Sequence, residues 1–220
     1  MSLESNIADL VKSANGLTDA VHGKMAAIDK RVEVHIAKMD GAMANWGTAA
    51  NQTLEVGQGK AFATIQDAWG ALRGKVLRHE VKIKVSDGIY KMNSLVFSDH
   101  PYAHKVRVEG NLLQPSACVL SFVPDANQRS HGVQFVGVRG INFSGFKIVG
   151  ECDKDKNITW RGISLTRESY VESNTGSIEV QGAYNGIELS YGSLYICPGI
   201  RVSEFYAMGV QAHDSSRVTM

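Results

Sequence analysis

The feature that most limits how this chain can fold is a four-residue unit that keeps returning: Gly132-Val-Gln-Phe135, Gly162-Ile-Ser-Leu165, Gly186-Ile-Glu-Leu189 and Gly209-Val-Gln-Ala212. The glycines are 30, 24 and 23 residues apart, a spacing that suits solenoid coils better than hairpins. A second series runs out of phase with the first: Phe146-Lys-Ile148, Ile178-Glu-Val180 and Ile200-Arg-Val202. Each short strand reads apolar, polar, apolar, so one face points inward and the middle residue outward. Two strand types recurring once per coil predict stacked columns. Inside, Val133, Ile163, Ile187 and Val210 superpose, as do Phe135, Leu165, Leu189 and Ala212. Outside, Lys147, Glu179 and Arg201 alternate in sign at about 4.8 Å per step. Exposed pairs contribute only about 0–1 kcal/mol, so their effect is to favour this register. An antiparallel sandwich also has many short strands, but its hairpin dipeptides are missing between these units.

The first fifty residues follow another period. Ile7, Leu10, Ala14, Leu17, Val21, Met25, Ile28, Val32, Ile36, Met39, Met43 and Trp46 are separated by threes and fours throughout, the seam of a coiled coil. Successive four-residue steps at Val21-Met25 and Val32-Ile36 predict local unwinding of the supercoil. Such a helix is roughly 60 Å long at about 1.5 Å per residue, and no second helix nearby in sequence covers its stripe. Other copies of the chain must do so. Gly16 and Gly23, one heptad apart and off the seam, would let another backbone approach and form a tail-docking face; otherwise they are tolerated glycines on a solvated surface.

Between the two patterns, residues 47–60 lose the three-four spacing and carry three glycines. Gly57-Gln58-Gly59-Lys60 lacks the glycine spacing and the Ser/Thr of a phosphate-binding loop. Thr64, three residues before Asp67, opens a short helix with an apolar face of Ile65, Ala68, Trp69 and Leu72 that ends near Gly74. Val81, Ile83 and Val85 alternate with charged residues before an Asp87-Gly88 turn, and Val106 and Val108 repeat that alternation. A helix placed just before short strands suits the open end of a solenoid, where apolar side chains and unpaired backbone need cover. The expected organisation is a coiled-coil stalk over 1–47, a linker over 48–60, and a capping helix with the first coils of a parallel β-helix over 61–220.

The stretch Leu54 to Leu95 resembles the opening of pectate-lyase-like phage tail proteins, where G-x-G-x-x-F/Y-x-T-I-x-x-A precedes a strand ending in D-G-x-Y. Gly57, Gly59, Phe62, Thr64, Ile65, Ala68, Asp87, Gly88 and Tyr90 match. With the later repeats, the resemblance covers roughly the last three-quarters of the chain. It implies a right-handed parallel β-helix in a homotrimeric tail fibre or tailspike; the mixed seam by itself does not decide between two strands and three. The implied partners are phage tail or baseplate proteins through the N-terminal helix, and a host surface glycan or receptor through more distal regions. The alternative is a polysaccharide depolymerase whose groove lies mostly beyond this segment. Ending at Val218-Thr219-Met220, inside a coil, the chain is expected to continue into a longer fibre or to abut another subunit.

Other signals point to no chemistry. The 23 Lys and Arg nearly balance the 22 Asp and Glu, so no field draws the chain to nucleic acid or an anionic membrane. The polar, acidic start is unlike a signal peptide, and nothing reaches membrane-spanning length. Synthesis in the host cytoplasm and residence in the virion are expected, and a bacterial surface adhesin is disfavoured. Cys118, Cys152 and Cys197 read as buried free thiols. No cofactor, metal or catalytic residue is expected. Glu179 and Glu188 could both face out of neighbouring coils, as any β-helix with acidic surface positions allows. Asp153-Lys-Asp155-Lys-Asn157 lacks the glycine and final glutamate of a calcium loop, and His100-Pro-Tyr-Ala-His104 contains a helix-breaking proline. Tyr170, Tyr184, Tyr191, Tyr195, Phe205 and Tyr206 could stack on carbohydrate but read as core and turn features.

Overall fold

The computed structural model describes residues 3–48, 50–123, 129–150, 159–174 and 176–220, with backbone alone at 42–46, 129 and 159. It divides into two units, Met1–Trp46 and Gly47–Met220. The first is one helix, α1 (Leu3–Trp46), of 44 residues. With no proline to interrupt it, the helix passes through Gly16, Gly23 and Gly41 without a break. Every side chain described along it, from Leu3 onward, is exposed.

The second unit is mainly β. It starts with β1 (Gln52–Val56), whose five residues pair in parallel with β2 (Val81–Val85). Residues 48–60, expected as a linker, therefore belong in part to a sheet: Thr53 and Glu55 face out while Val56 is buried. Between the paired strands lies α2 (Ile65–Gly70). Thr64 Oγ1 accepts from the Asp67 N–H at 3.0 Å and donates to the Asp67 carboxylate at 2.6 Å, the expected N-terminal cap. The helix stops at Gly70, four residues short of the expected end, and two turns lead to Gly74 at φ +75°.

After β2 the chain enters β3 (Gly88–Met92) and β4 (Leu95–Ser98). Four similar passages follow. They comprise β5 (Val106–Glu109), β6 (Cys118–Phe122) and β7 (Arg129–Val136), then β8 (Arg139–Ser144), β9 (Phe146–Gly150) and β10 (Thr159–Thr166). Next come β11 (Tyr170–Glu172), β12 (Ile178–Gln181) and β13 (Asn185–Leu189), then β14 (Leu194–Ile196), β15 (Arg201–Ser203) and β16 (Met208–Ala212), and finally β17 (Arg217–Thr219). The strands form three sheets, visited in fixed rotation: β1-β2-β5-β8-β11-β14-β17, then β3-β6-β9-β12-β15, then β4-β7-β10-β13-β16. Every pairing among the described strands is parallel, which excludes the antiparallel sandwich and is compatible with a β-helix.

The expected columns are present in register. In the third sheet Leu95 leads to Val133, Ile163, Ile187 and Val210, and Phe97 to Phe135, Leu165, Leu189 and Ala212. In the second, Val119, Lys147, Glu179 and Arg201 lie side by side. The members of the two columns in the third sheet are buried up to β13, with Val210 partly buried and Ala212 exposed. Two strand types were expected per coil, but there are three, because the first sheet contributes its own in every passage.

The core begins under α2. Ile65, Ala68, Trp69 and Leu72 are buried, and the Trp69 ring meets Phe97 edge-on at 5.1 Å. Phe97 stacks on Phe135 at 5.2 Å, Phe135 meets Phe143 at 5.5 Å, and Phe143 stacks on Phe146 at 4.6 Å. Each such pair adds about 0.5–1.5 kcal/mol beyond burial. The resemblance residues serve this end of the unit. A Cβ on Gly57, which sits at φ +145°, would lie 3.0 Å from the Ser86 side chain, and the Tyr90 hydroxyl donates to the Ser86 carbonyl at 2.9 Å.

Candidate functional site

The seam residues lie on α1 as their spacing requires. Ile7, Leu10, Leu17, Val21, Met25, Ile28, Val32, Ile36 and Met39 are 47–74% exposed, and Ala14 is exposed as well. Met43 and Trp46 fall outside the described side chains. Apart from the helix's own backbone, nothing lies within 4 Å of a Cβ on Gly16 or Gly23. A row of large apolar side chains in water is a cost the helix carries until something covers it.

Sequence reading missed a second feature, a groove of about 420 Å³ on the outer face of the third sheet. Two in-register columns line it, Gln134, Ser164 and Glu188, and beside them His131 and Arg161; Gln211 and Asn185 come next in the same columns. Glu188 accepts from Arg161 Nε at 2.6 Å and from Asn185 Nδ2 at 2.8 Å. Asn185 Nδ2 also reaches Gln211 Oε1 at 2.8 Å, and an Arg161 N–H lies 3.3 Å from His131 Nε2. That contact makes Nε2 the acceptor and leaves the proton on Nδ1, a buried atom with no partner among the described residues. Burial, then the Arg161 charge, lowers the His131 pKa, with Glu188 opposing. Tyr191, His213 and Asp214 line the edge. The middle residues of the repeats, Gln134, Ser164 and Glu188, are the signal the sequence offers, because stacked coils align them.

Other candidates are dispersed. Glu179 is on the second sheet, 3.6 Å from Arg201, whereas Glu188 is on the third with Arg161, so the two carboxylates belong to different faces. His100 is buried with both ring nitrogens engaged, Nε2 at 2.9 Å from the Leu72 carbonyl and Nδ1 accepting from the Tyr102 N–H. Tyr195 is core and bonded to Ser173 at 2.8 Å; Tyr170 is partly buried against Glu172; Tyr184, Tyr191, Phe205 and Tyr206 are exposed. Cys118 and Cys197 are buried free thiols, pushed by burial up to about 12 and about 11. Cys152 and Asp153 to Asn157 lie outside the described residues.

Among the described residues no His, Cys, Asp and Glu group is placed to hold a metal ion, and no helix is long and apolar enough to cross a membrane. Comparison with protein-family models, curated proteins and solved structures gives no match.

Proposed function

We propose that this chain is a structural component of a phage tail fibre or tailspike, a homotrimer whose α1 helices form a coiled-coil stalk that attaches to the tail or baseplate. The second unit is then a right-handed parallel β-helix, a stiff rod that supports binding to a host surface receptor. The observation that carries this reading is the seam: nine large apolar side chains 47–74% exposed along one stripe of a 44-residue helix. Covering that stripe with identical stripes removes it from water and fixes register by knobs-into-holes packing.

The three-sheet rotation supports the rod, since each coil contacts only its neighbours through continuous parallel sheets. Right-handed winding follows the rule that about 98% of parallel crossovers take that hand. The complete particle would reside in the virion after assembly in the host cytoplasm. Light scattering in solution tests the reading. A mass of about 72 kDa, three times 23.9 kDa, is the expected result, and a stable monomer would refute it.

A further inference from the structure

We infer that a second concavity, a cleft beside α2, binds a small aromatic monocarboxylate. Its residues all lie in the second unit, so the inference is independent of the stalk and of the proposed trimer.

The cleft has a volume of about 580 Å³. One wall is the end of α2 and the turns after it, from Trp69 to Val76; the other is the end of β4 and the loop after it, from Ser98 to Tyr102. His100 joins the two: Nε2 donates to the Leu72 carbonyl at 2.9 Å, and Nδ1 accepts from the Tyr102 N–H at 3.2 Å. Backbone bonds hold each wall. The Arg73 and Lys75 amides donate to the Gly70 and Leu72 carbonyls at 3.1 and 3.0 Å, and the Asp99 amide donates to the Val136 carbonyl at 3.2 Å. The walls are therefore set before any ligand arrives, and the volume is that of a small-molecule site.

The side chains in the cleft, by contrast, have unmet needs. Trp69 is only 4% exposed, yet its indole N–H has no hydrogen-bond partner among the described residues. A buried indole usually finds one. Trp160 does, donating to the Gly182 carbonyl at 2.7 Å. The Trp69 nitrogen is not sealed in the core, so the cleft that its ring lines is where an acceptor can reach it. Arg73 and Lys75 line the same cleft with no ion-pair partner among the described residues, and so does the Asp99 carboxylate.

Charge sets the valence of the ligand. A histidine ring that donates at one nitrogen and accepts at the other carries no charge, so His100 adds none in this arrangement. Arg73 and Lys75 against Asp99 leave one positive charge in excess. A monoanion neutralises it, whereas a phosphate ester at about −1.5 to −2 overshoots. The two oxygens of a carboxylate match a guanidinium fork and keep lone pairs free for the indole N–H. The Trp69 and Tyr102 rings, Pro101 and Val76 supply apolar surface, on which a flat aromatic body packs.

The test is calorimetric titration of the intact chain with naphthoate, its uncharged amide and naphthyl phosphate, while NMR of nitrogen-labelled tryptophan locates the ligand. Naphthoate should bind with a Kd of about 1 mM or lower, the level of a ligand of this size. It should bind more tightly than the phosphate, and the amide should not bind. The Trp69 indole signal, identified by its loss in Trp69→Phe, should move, and that of Trp160 should stay. Arg73→Gln and Lys75→Gln should each weaken naphthoate about tenfold, the loss of a charge-assisted hydrogen bond. Neither has a partner to lose, so melting temperatures should hold. Asp99→Asn suits the φ of +48° and should tighten naphthoate and bring the phosphate level with it. Lys60→Gln, outside the cleft at a residue paired with Glu55, should change nothing. The idea is overturned if naphthoate does not bind, if the amide or the phosphate binds wild-type protein as well, if the Trp69 signal stays still, or if affinity survives both cation substitutions.

Discussion

A Cβ atom on Gly162 would lie 2.4 Å from the carbonyl oxygen of Gly186 in the next coil and 2.4 Å from Cγ1 of Val180. Gly186 stands in the same relation to Gly209 O at 2.6 Å and Val202 Cγ1 at 2.2 Å, and Gly132 to Gly162 O at 2.7 Å. None of these glycines has a positive φ, so the repeat keeps glycine for close approach of backbones and not for turn geometry. Gly162→Ala must push a carbonyl and a buried valine aside, and should destabilise the second unit by roughly 1–3 kcal/mol. Urea unfolding would show it as a lower midpoint; an unchanged midpoint would mean that the coils are not this close.

The glycines of α1 predict the opposite sign. Apart from the helix's own backbone, no atom lies within 4 Å of a Cβ on Gly16 or Gly23, so Gly16→Ala and Gly23→Ala should each raise helix stability by up to about 1 kcal/mol. Leucine at both positions separates the docking face from a tolerant surface. A tail-docking face predicts an unchanged solution mass with loss of attachment to the tail, and attachment at wild-type level would reject it.

Thiol chemistry reports on core integrity. Cys118 and Cys197 are buried with pKa values raised to about 12 and about 11, so neither presents thiolate at pH 8 in the folded chain. In a Cys152→Ser background, a thiol reagent should label nothing until denaturant is added and two groups afterwards. Rapid labelling of the folded chain would place one of these sulfurs at the surface.

The parts of the fold legible in the sequence were those where hydrophobicity and burial agree. Val133, Ile163 and Ile187 are apolar, flanked by polar residues, and end up in one column. In the first sheet β2 and β5 show their alternation, but the later strands hid because there the two disagree. In Leu194-Tyr195-Ile196 the tyrosine is fully buried while leucine and isoleucine face outward, and Val171 and Val218, its column neighbours, are likewise middle residues. Three-residue strands of that kind carry no alternation to detect. The groove hid for another reason: Gln134, Ser164 and Glu188 are unremarkable singly, and only coil stacking makes them a surface. The apolar stripe of α1 was readable as one helix face because a helix places residues three and four apart on one side regardless of what covers it.

Protonation of His131 supplies a pH dependence whose sign can be worked out. The folded chain holds this ring below its ordinary value of 6.5, first by burial and then by the Arg161 guanidinium, while Glu188 pulls the other way. In the unfolded chain the ring titrates near its ordinary value, so below about pH 6.5 the unfolded state binds more protons than the folded one. The stability that a neutral His131 contributes is therefore complete above that pH and is lost as the pH falls toward the lowered folded value. His131→Gln removes the titration but keeps an oxygen able to accept from Arg161. Between about pH 7.5 and about pH 5.5 the wild-type chain should lose more unfolding free energy than the variant, the other histidines being common to both. Urea unfolding at the two pH values measures the difference, and equal losses would assign the pH dependence to other groups.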